Sequence, residues 1–426
     1  MKLYPHQSEA LAQSENLHRV AYYHDMGLGK TFTGAEKLIR LGGRINLVVC
    51  QKSKIDDWLE HFKTHYPGCW ICDLTDRKMY NSVIALWQTN PKKYFKDTAI
   101  WVINYDLIFR RPELKLVKID TLMLDESSLI QNETAKRSKF ILGLNPSNVI
   151  LLSGTPTSGK YENLWSQLHL LGWNISKELY WQQYIDYEWQ GGEGFPIRVV
   201  HGYKNVERLK KKLREHGAFF LKTDEVFDLP NQNDNFIYIP TTKEYRKFRK
   251  SKIVEIEETE LVGDTVLTQI LYERQLCGQY NKAKLAAFRD MVESTEDRLI
   301  VFYNFTAELE AMKKIVADSN KPVSIVNGSE KTMINYEECN NSVTFIQYQA
   351  GAMGLNLQKA NKIIYFTLPL GKGSCGLWEQ SKKRIHRIGQ DRPCFYYYMI
   401  CPNSIEEKNL ESLKLGRDLT NDLFEE

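Results

Sequence analysis

An apolar run, Val20-Ala21-Tyr22-Tyr23, passes directly into His24-Asp25-Met26-Gly27-Leu28-Gly29-Lys30-Thr31 and then into a helix-compatible stretch, Thr33 to Arg40. This strand–loop–helix order constrains the fold more than any other feature of the chain. A buried strand that feeds a glycine turn at a helix start belongs to parallel α/β sheets, whose chemistry sits at the carboxyl ends of the strands. The two glycines let backbone N–H groups turn onto phosphate oxygens, where a helix N-terminus already favours anions. Lys30 then reaches the β- and γ-phosphates of a nucleotide, and the Thr31 hydroxyl is a Mg²⁺ ligand. A strict phosphate loop has glycine where His24 stands, so this loop is a variant. The competing reading, a glycine turn without function, weakens with each partner that follows.

Leu122-Met123-Leu124-Asp125-Glu126-Ser127-Ser128 is a second apolar strand, and it ends in two carboxylates. Asp125 suits Mg²⁺, and Glu126 suits orienting or deprotonating an attacking water. Ile150-Leu151-Leu152-Ser153-Gly154-Thr155-Pro156-Thr157 is a third, ending in small hydroxyl residues that adjacent parallel strands would bring to the same edge. Far along the chain, Gln380, Arg384 and His386-Arg387-Ile388-Gly389-Gln390 place two arginines on one segment. Together these suggest a nucleoside triphosphate held by two lobes, one giving the loop and the other giving Arg384 and Arg387 to the γ-phosphate. A cleft that cycles with hydrolysis can move along a polymer.

These motifs resemble those of the Snf-type, chromatin-remodeller-like DNA translocases of helicase superfamily two, in the compact form found in bacteriophage genomes. The resemblance runs nearly end to end. Leu3-Tyr4-Pro5-His6-Gln7 is similar to the family's opening glutamine motif, which implies that Gln7 reads adenine. Leu47 to Ser53, with Trp58 and Glu60-His61-Phe62, is similar to motif Ia. Thr223 to Pro230 and Leu267 to Cys277 resemble inter-lobe segments, Arg298 to Phe302 motif IV, and Ala350 to Leu357 motif V. Asn403-Ser404-Ile405-Glu406-Glu407 closes the set, and His-Arg-Ile-Gly-Gln is the segment specific to this family.

The resemblance implies an α/β fold of two RecA-like parallel-sheet lobes with helical insertions between them, and ATP with Mg²⁺ as cofactors. Nucleotide contacts then fall on Gln7, Gly27, Leu28, Gly29, Lys30, Thr31, Gly354 and Gln390, and Mg²⁺ on Thr31 and Asp125. Catalysis falls on Lys30, Glu126, Arg384 and Arg387. Nucleic-acid contacts fall on Lys52, Ser53, Asn104, Tyr105, Thr155, Asn304, Tyr348 and Gln349. The chain departs from the family pattern at Ser127-Ser128 (often alanine and histidine), at Tyr348 (usually threonine), at Ala352 (usually glycine) and before Gln380, where Trp-Asn-Pro is lacking. These departures bear on DNA grip and coupling, not on ATP hydrolysis.

Two basic stretches, Lys204 to Arg214 with Lys210-Lys211-Lys212, and Lys243 to Lys252, fall on helices between the lobes. Phosphate neutralisation there gives sequence-independent, salt-sensitive binding; a solvated helix face is the alternative, and both stay open. His61, His65, Cys69 and Cys72 have spacings similar to a zinc site. However, Cys69 and Cys72 fall on or beside a strand, Trp70 to Leu74, where residues three apart point to opposite faces, so packing is the better reading. Phe395-Tyr396-Tyr397-Tyr398 reads as a core strand rather than a base-stacking platform.

With 426 residues the chain can hold two domains with cores, and a net charge of +4 means that any basic surface is local. No leader-like segment and no bilayer-length apolar run is read, and eight cysteines scattered among apolar segments read as reduced thiols. A protein of the bacterial host cytoplasm without a membrane partner is expected. The first lobe is expected over 1–228, with strands near Val20–Tyr23, Leu47–Cys50, Trp101–Asn104, Thr121–Leu124 and Val149–Leu152. A largely helical, basic insertion follows Pro156. After a joint near Leu229–Asp234, the second lobe, 229–426, opens with a helical bracket. Its strands lie near Leu299–Phe302, Val323–Val326, Val343–Gln347, Lys362–Phe366 and Tyr396–Ile400. No strand-separating pin is read. The expected activity is ATP-dependent translocation by a monomer on double-stranded or branched DNA, in phage or bacterial replication, recombination or repair, with phage replication or recombination proteins as partners. Two alternatives stand beside it: a strand-separating DNA or RNA helicase, and a nucleotide-switched loader with negligible turnover.

Overall fold

The computed structural model describes residues 2–94, 97–191, 196–351, 355–371 and 373–424. They form two compact units, Met1–Val226 with Asp418–Glu426, and Phe227–Arg417. The chain end from Asp418 groups with the first unit.

The first unit contains β1 (Arg19–His24), β2 (Ile45–Cys50), β3 (Trp70–Asp73), β4 (Ala99–Asn104), β5 (Thr121–Asp125), β6 (Asn148–Leu152), β7 (Ile185–Gln190), β8 (Ile197–Tyr203) and β9 (Ala218–Leu221). Seven strands build one sheet in the order β3-β4-β2-β5-β6-β1-β9, with every pair parallel. The strands are apolar along their length because both faces are covered. Ala21, Tyr23, Leu122 and Leu124 enter one core, while Val20, Tyr22 and Met123 enter the other. Helix Lys30–Arg40 seats closely on the sheet: a Cβ added at Gly34 would lie 2.8 Å from Leu152 and 3.1 Å from Met123. That close seat carries the glycine loop to the carboxyl end of β1.

The segment after Pro156 is less helical than expected. Helices Trp165–Leu170, Lys177–Tyr184 and Val206–Glu215 flank an antiparallel ribbon of β7 and β8, and β9 then joins the main sheet beside β1. The residues Ile-Asp-Tyr-Glu-Trp-Gln of β7 alternate apolar and polar, a period of two that a helix cannot use.

The second unit contains β10 (Gln232–Tyr238), β11 (Ile253–Ile256), β12 (Thr259–Val262), β13 (Leu299–Tyr303), β14 (Val323–Val326), β15 (Lys331–Thr332), β16 (Val343–Gln347), β17 (Lys362–Tyr365) and β18 (Cys394–Ile400). Its sheet runs β10-β18-β17-β13-β16-β14-β15, parallel except for the β14–β15 pair. The expected joint at Leu229–Asp234 runs instead into the edge strand β10, paired with β18 from Gln232↔Cys394 to Tyr238↔Ile400. Helices Lys243–Ser251, Val266–Cys277 and Lys282–Glu293 form the bracket, with the β11–β12 hairpin among them. In β18 the Tyr396 and Tyr398 rings are buried in the core, so the aromatic run is a core strand. Among the described residues no helix is long and apolar enough to cross a membrane.

Candidate nucleotide site

The loop after β1 takes the conformation that its glycines permit. Gly27 and Gly29 have φ of 92° and 70°, a left-handed region that side chains disfavour. Gly29 is also where Gln7 arrives, since a Cβ there would lie 2.3 Å from Gln7 Nε2. Gln7 Nε2 donates to Leu28 O and Gly29 O, both at 3.2 Å, and Gln7 Oε1 accepts from Tyr4 N at 2.9 Å. Gln7 thus braces the back of the loop, together with His6 Nε2, 2.9 Å from Leu28 O. Lys30 Nζ donates to His24 O (2.8 Å) and Asp25 O (3.2 Å). Its ammonium is already directed at oxygens on the loop, the requirement for holding phosphates. Burial, with the nearby Lys30 and His6 charges, pushes the His24 imidazole down to about 3, so this ring is neutral.

The acidic pair closes the floor of the site. Asp125 ends β5, and Trp58 Nε1 donates to its Oδ2 at 2.9 Å. Burial raises the Asp125 carboxyl, opposed by that bond and by Lys30 and Lys54. Glu126 takes φ 53° and ψ 60°, a costly left-handed state for a non-glycine residue. Tyr105 supports it from below: its hydroxyl donates to Asp125 O at 2.9 Å and Glu126 O at 3.4 Å. The Ser153–Thr157 turn after β6 lies against the loop, for a Cβ at Gly154 would be 3.4 Å from both His24 O and Lys30 Nζ. Asp25 Oδ2 accepts from Thr223 N and Thr223 Oγ1, each at 3.2 Å, which ties the loop to the segment after β9. An anchored carboxylate at a strand end, the Thr31 hydroxyl in the helix's first turn and an oxygen-seeking ammonium form a donor set that fits Mg²⁺ with a nucleoside triphosphate.

In the second unit, the His386–Gln390 segment follows helix Ser374–Lys382 as a run of turns. Arg387 donates to Asn356 Oδ1, a residue of the motif V segment, and burial lowers its guanidinium from the ordinary value. Arg384 is buried, and its carbonyl accepts from Leu357 N at 3.1 Å. Gln390 is a scaffold: its Nε2 donates to Gln358 O, Ala360 O and Ile385 O, and its Oε1 accepts from Arg392 N. Gly354, and with it Ala352, lies outside the described residues, as does the side chain of Gln349.

Several residues expected at nucleic acid are interior. Tyr105 is 2% exposed and bonded under Glu126, as above. Tyr348 packs among Phe302 and Tyr365 and donates its hydroxyl to Thr367 O at 3.0 Å. Asn104 and Thr155 are buried, and Asn304 Nδ2 is bonded to Thr367 Oγ1 (2.8 Å) and Leu368 O (3.1 Å). Lys52 and Ser53 are exposed on the short turn after β2. The Lys210–Lys212 triplet is not one basic face: Lys210 is 3% exposed and paired with Glu207, Lys212 pairs with Glu215, and Lys211 is exposed. Helical geometry turns consecutive residues apart by about 100°, so a triplet cannot share one face. His61 and His65 pack edge-on to each other, at 4.8 Å, around Phe32. A cluster that the sequence did not single out, Cys277, Cys401 and Glu406, has the spacing of metal ligands, but Lys284 Nζ already pairs with Glu406 at 2.6 Å.

The SNF2-related domain family matches residues 12–282, and the helicase conserved C-terminal domain matches residues 283–389. The SWI/SNF-related matrix-associated actin-dependent regulator of chromatin subfamily A member 1 of Mus musculus is 22% identical over 92% of this chain and 40% of its own length. An uncharacterized ATP-dependent helicase of Mycoplasma genitalium is 24% identical over 90% of this chain and 38% of its own. The chain therefore spans about two-fifths of these relatives. A solved Sulfolobus solfataricus SWI2/SNF2 ATPase core in complex with dsDNA aligns with 99% of this chain and 93% of its own, at 18% identity and a TM-score of 0.45. With a matched domain covering well over half of its residues, the chain belongs to the SNF2-related family.

Proposed function

We propose that this chain hydrolyses ATP with Mg²⁺ and couples hydrolysis to movement along double-stranded or branched DNA. One observation carries the reading: Lys30, Asp125, Glu126 and the Ser153–Thr157 turn converge at the carboxyl ends of β1, β5 and β6. The Gly27–Gly29 amides and Lys30 hold the β- and γ-phosphates, and Gln7 keeps that loop in shape. Thr31 and Asp125 would hold Mg²⁺, which would supply charge neutralisation to the phosphates. Glu126 accepts the proton of the attacking water, and its fixed backbone gives the carboxylate a set direction. Arg384 and Arg387 act as arginine fingers, which are worth roughly 10³–10⁵ in rate. The bacterial setting rests on the Mycoplasma relative, and the phage-encoded form, with service in replication, recombination or repair in the host cytoplasm as a monomer, rests on motif resemblance.

The test is the steady-state ATPase rate with no polymer, duplex DNA, forked DNA, single-stranded DNA and RNA. Stimulation by duplex or forked DNA supports the translocase. ATP binding without turnover on any polymer would favour the switched loader. Strand separation is a second reading, favoured by the β7–β8 ribbon. There Trp189 and Ile197 are 57% and 63% exposed, and the Arg198 guanidinium stacks on Trp181, Tyr187 and Trp189 at 4.7, 5.1 and 4.8 Å. Aromatic faces of this kind stack unpaired bases. Fork unwinding that disappears in Trp189→Ala would support that reading.

A further inference from the structure

Gln167 lies on helix Trp165–Leu170, outside every motif named above, and is 0% exposed. Its Oε1 accepts from Tyr23 OH at 3.0 Å and from Ser127 Oγ at 2.7 Å, while its Nε2 donates to Pro156 O at 2.8 Å. Each partner adjoins a piece of the nucleotide site. Tyr23 precedes His24, where the loop begins; Ser127 follows Glu126; Pro156 follows the Ser153–Thr155 corner. One turn earlier, Asn163 Nδ2 donates to Thr157 O at 2.8 Å. Asn163 belongs to the 3-10 turn Tyr161–Leu164 that leads into this helix, so two amides, one on each side of that junction, grip two consecutive carbonyls of the turn.

A buried amide is costly unless its bonding capacity is met, and leucine would fill the same space without that condition. Here three strand ends meet it. The arrangement also bears on the Glu126 backbone, whose left-handed φ of 53° persists only if its neighbours hold it. Tyr105 holds it on one side through the Asp125 and Glu126 carbonyls; Gln167 holds the next residue, Ser127, on the other.

We propose that Gln167 is a positioning residue for ATP hydrolysis. It locks Ser127 and the Ser153–Thr157 turn into one register, so that a shift of the turn against Lys30 is passed to the Glu126 carboxylate. This role rests on the ATP-hydrolysing reading above.

The test uses the full chain and two variants. Gln167→Leu alone leaves the Tyr23 and Ser127 hydroxyls without their acceptor; the combined Tyr23→Phe, Ser127→Ala, Gln167→Leu variant removes them and keeps the packing. For the combined variant we expect a melting temperature within a few degrees of wild type and an ATP Kd within about threefold. DNA-stimulated kcat should fall at least tenfold in both variants. A merely structural role would instead lower stability, ATP affinity and kcat together, and that pattern in the combined variant overturns the proposal. So does wild-type kcat in the combined variant. If Gln167→Leu fails to fold, the combined variant decides alone. Wild type measured in parallel separates the two readings. An inactive wild type overturns the proposed function and this role with it, whereas an active wild type beside an equally active variant overturns the role alone.

Discussion

Tyr105, expected at nucleic acid from its place in a motif, is buried. It begins the helical turn after β4, where an exposed ring would meet nucleic acid, yet its hydroxyl closes the carbonyls of Asp125 and Glu126. Tyr105→Phe should cost about 1–3 kcal/mol, the range for a buried hydrogen bond lost, and lower kcat severalfold as Glu126 loses support. Urea midpoints and turnover check both parts, and unchanged DNA affinity would fit the interior position. His24 gives a second residue-scale prediction. Burial, aided by Lys30 and His6, pushes its imidazole down to about 3, and burial with His65 pushes His61 down to about 4. The unfolded chain binds these protons near pH 6.5, and the folded chain does not until far lower. Their contribution to stability is therefore complete above pH 6.5 and lost as pH falls below it, at about 1.4 kcal/mol per pH unit for the deeply buried His24 ring and in the same direction but less, through solvent screening, for His61. His24→Gln should flatten the fall in urea stability between pH 6.5 and 5; an unaltered slope would contradict a neutral buried ring.

Among the elements, the last long helix is held at its start by charge. Glu406 pairs with Lys284 at 2.6 Å, both side chains being buried, and its other oxygen accepts from Cys401 N at 2.9 Å. Burial alone would lower the Lys284 ammonium, but the Glu406 carboxylate outweighs it and raises it above 10.5. A raised lysine contributes stability that is complete below its unfolded value and is lost only as pH climbs through the folded one, so this pair is constant from pH 6 to 9 by the linkage rule. Lys284→Met should cost about 3–5 kcal/mol, and Lys284→Met with Glu406→Leu should recover most of it, because a lone buried charge is worse than none. Denaturant titration of the three proteins tests this. The core strands were legible because strands covered on both faces read as unbroken apolar runs, as in Leu122-Met123-Leu124. The edge strand β10 was not, since Gln232-Asn233-Asp234-Asn235 carries no such run and takes its place by pairing with β18. The β7 strand lay inside a segment whose Lys-rich run reads as helix, and its period-two alternation is short enough to be hidden beside it. The loop and acidic pair stood out because chemistry dictates them residue by residue. Gln167 did not, because nothing in a helix sequence tells which strand ends its amide meets.

For the whole molecule, the first unit holds Lys30, Asp125 and Glu126 and the second holds Arg384 and Arg387, so on the proposed function neither unit by itself would carry the full set of charges for phosphoryl transfer. On the proposed function the first unit's groups would bind ground-state phosphates, since loop amides and Lys30 would serve ATP before any bond breaks. An arginine finger acts mainly on charge that develops in the transition state. Binding and turnover should therefore separate by unit. Arg387→Ala should leave the ATP Kd within a few-fold of wild type and lower DNA-stimulated kcat by roughly 10³ or more, whereas Lys30→Ala should weaken ATP binding itself. Because Arg387 also donates to Asn356, the substitution leaves that amide oxygen to water. An Asn356→Ala control separates loss of this contact from loss of the charge. Should Asn356→Ala match Arg387→Ala in kcat, Arg387 acts through the motif V segment and not on phosphate. Should Arg387→Ala hydrolyse ATP at the wild-type DNA-stimulated rate, the second unit contributes no charge to the reaction.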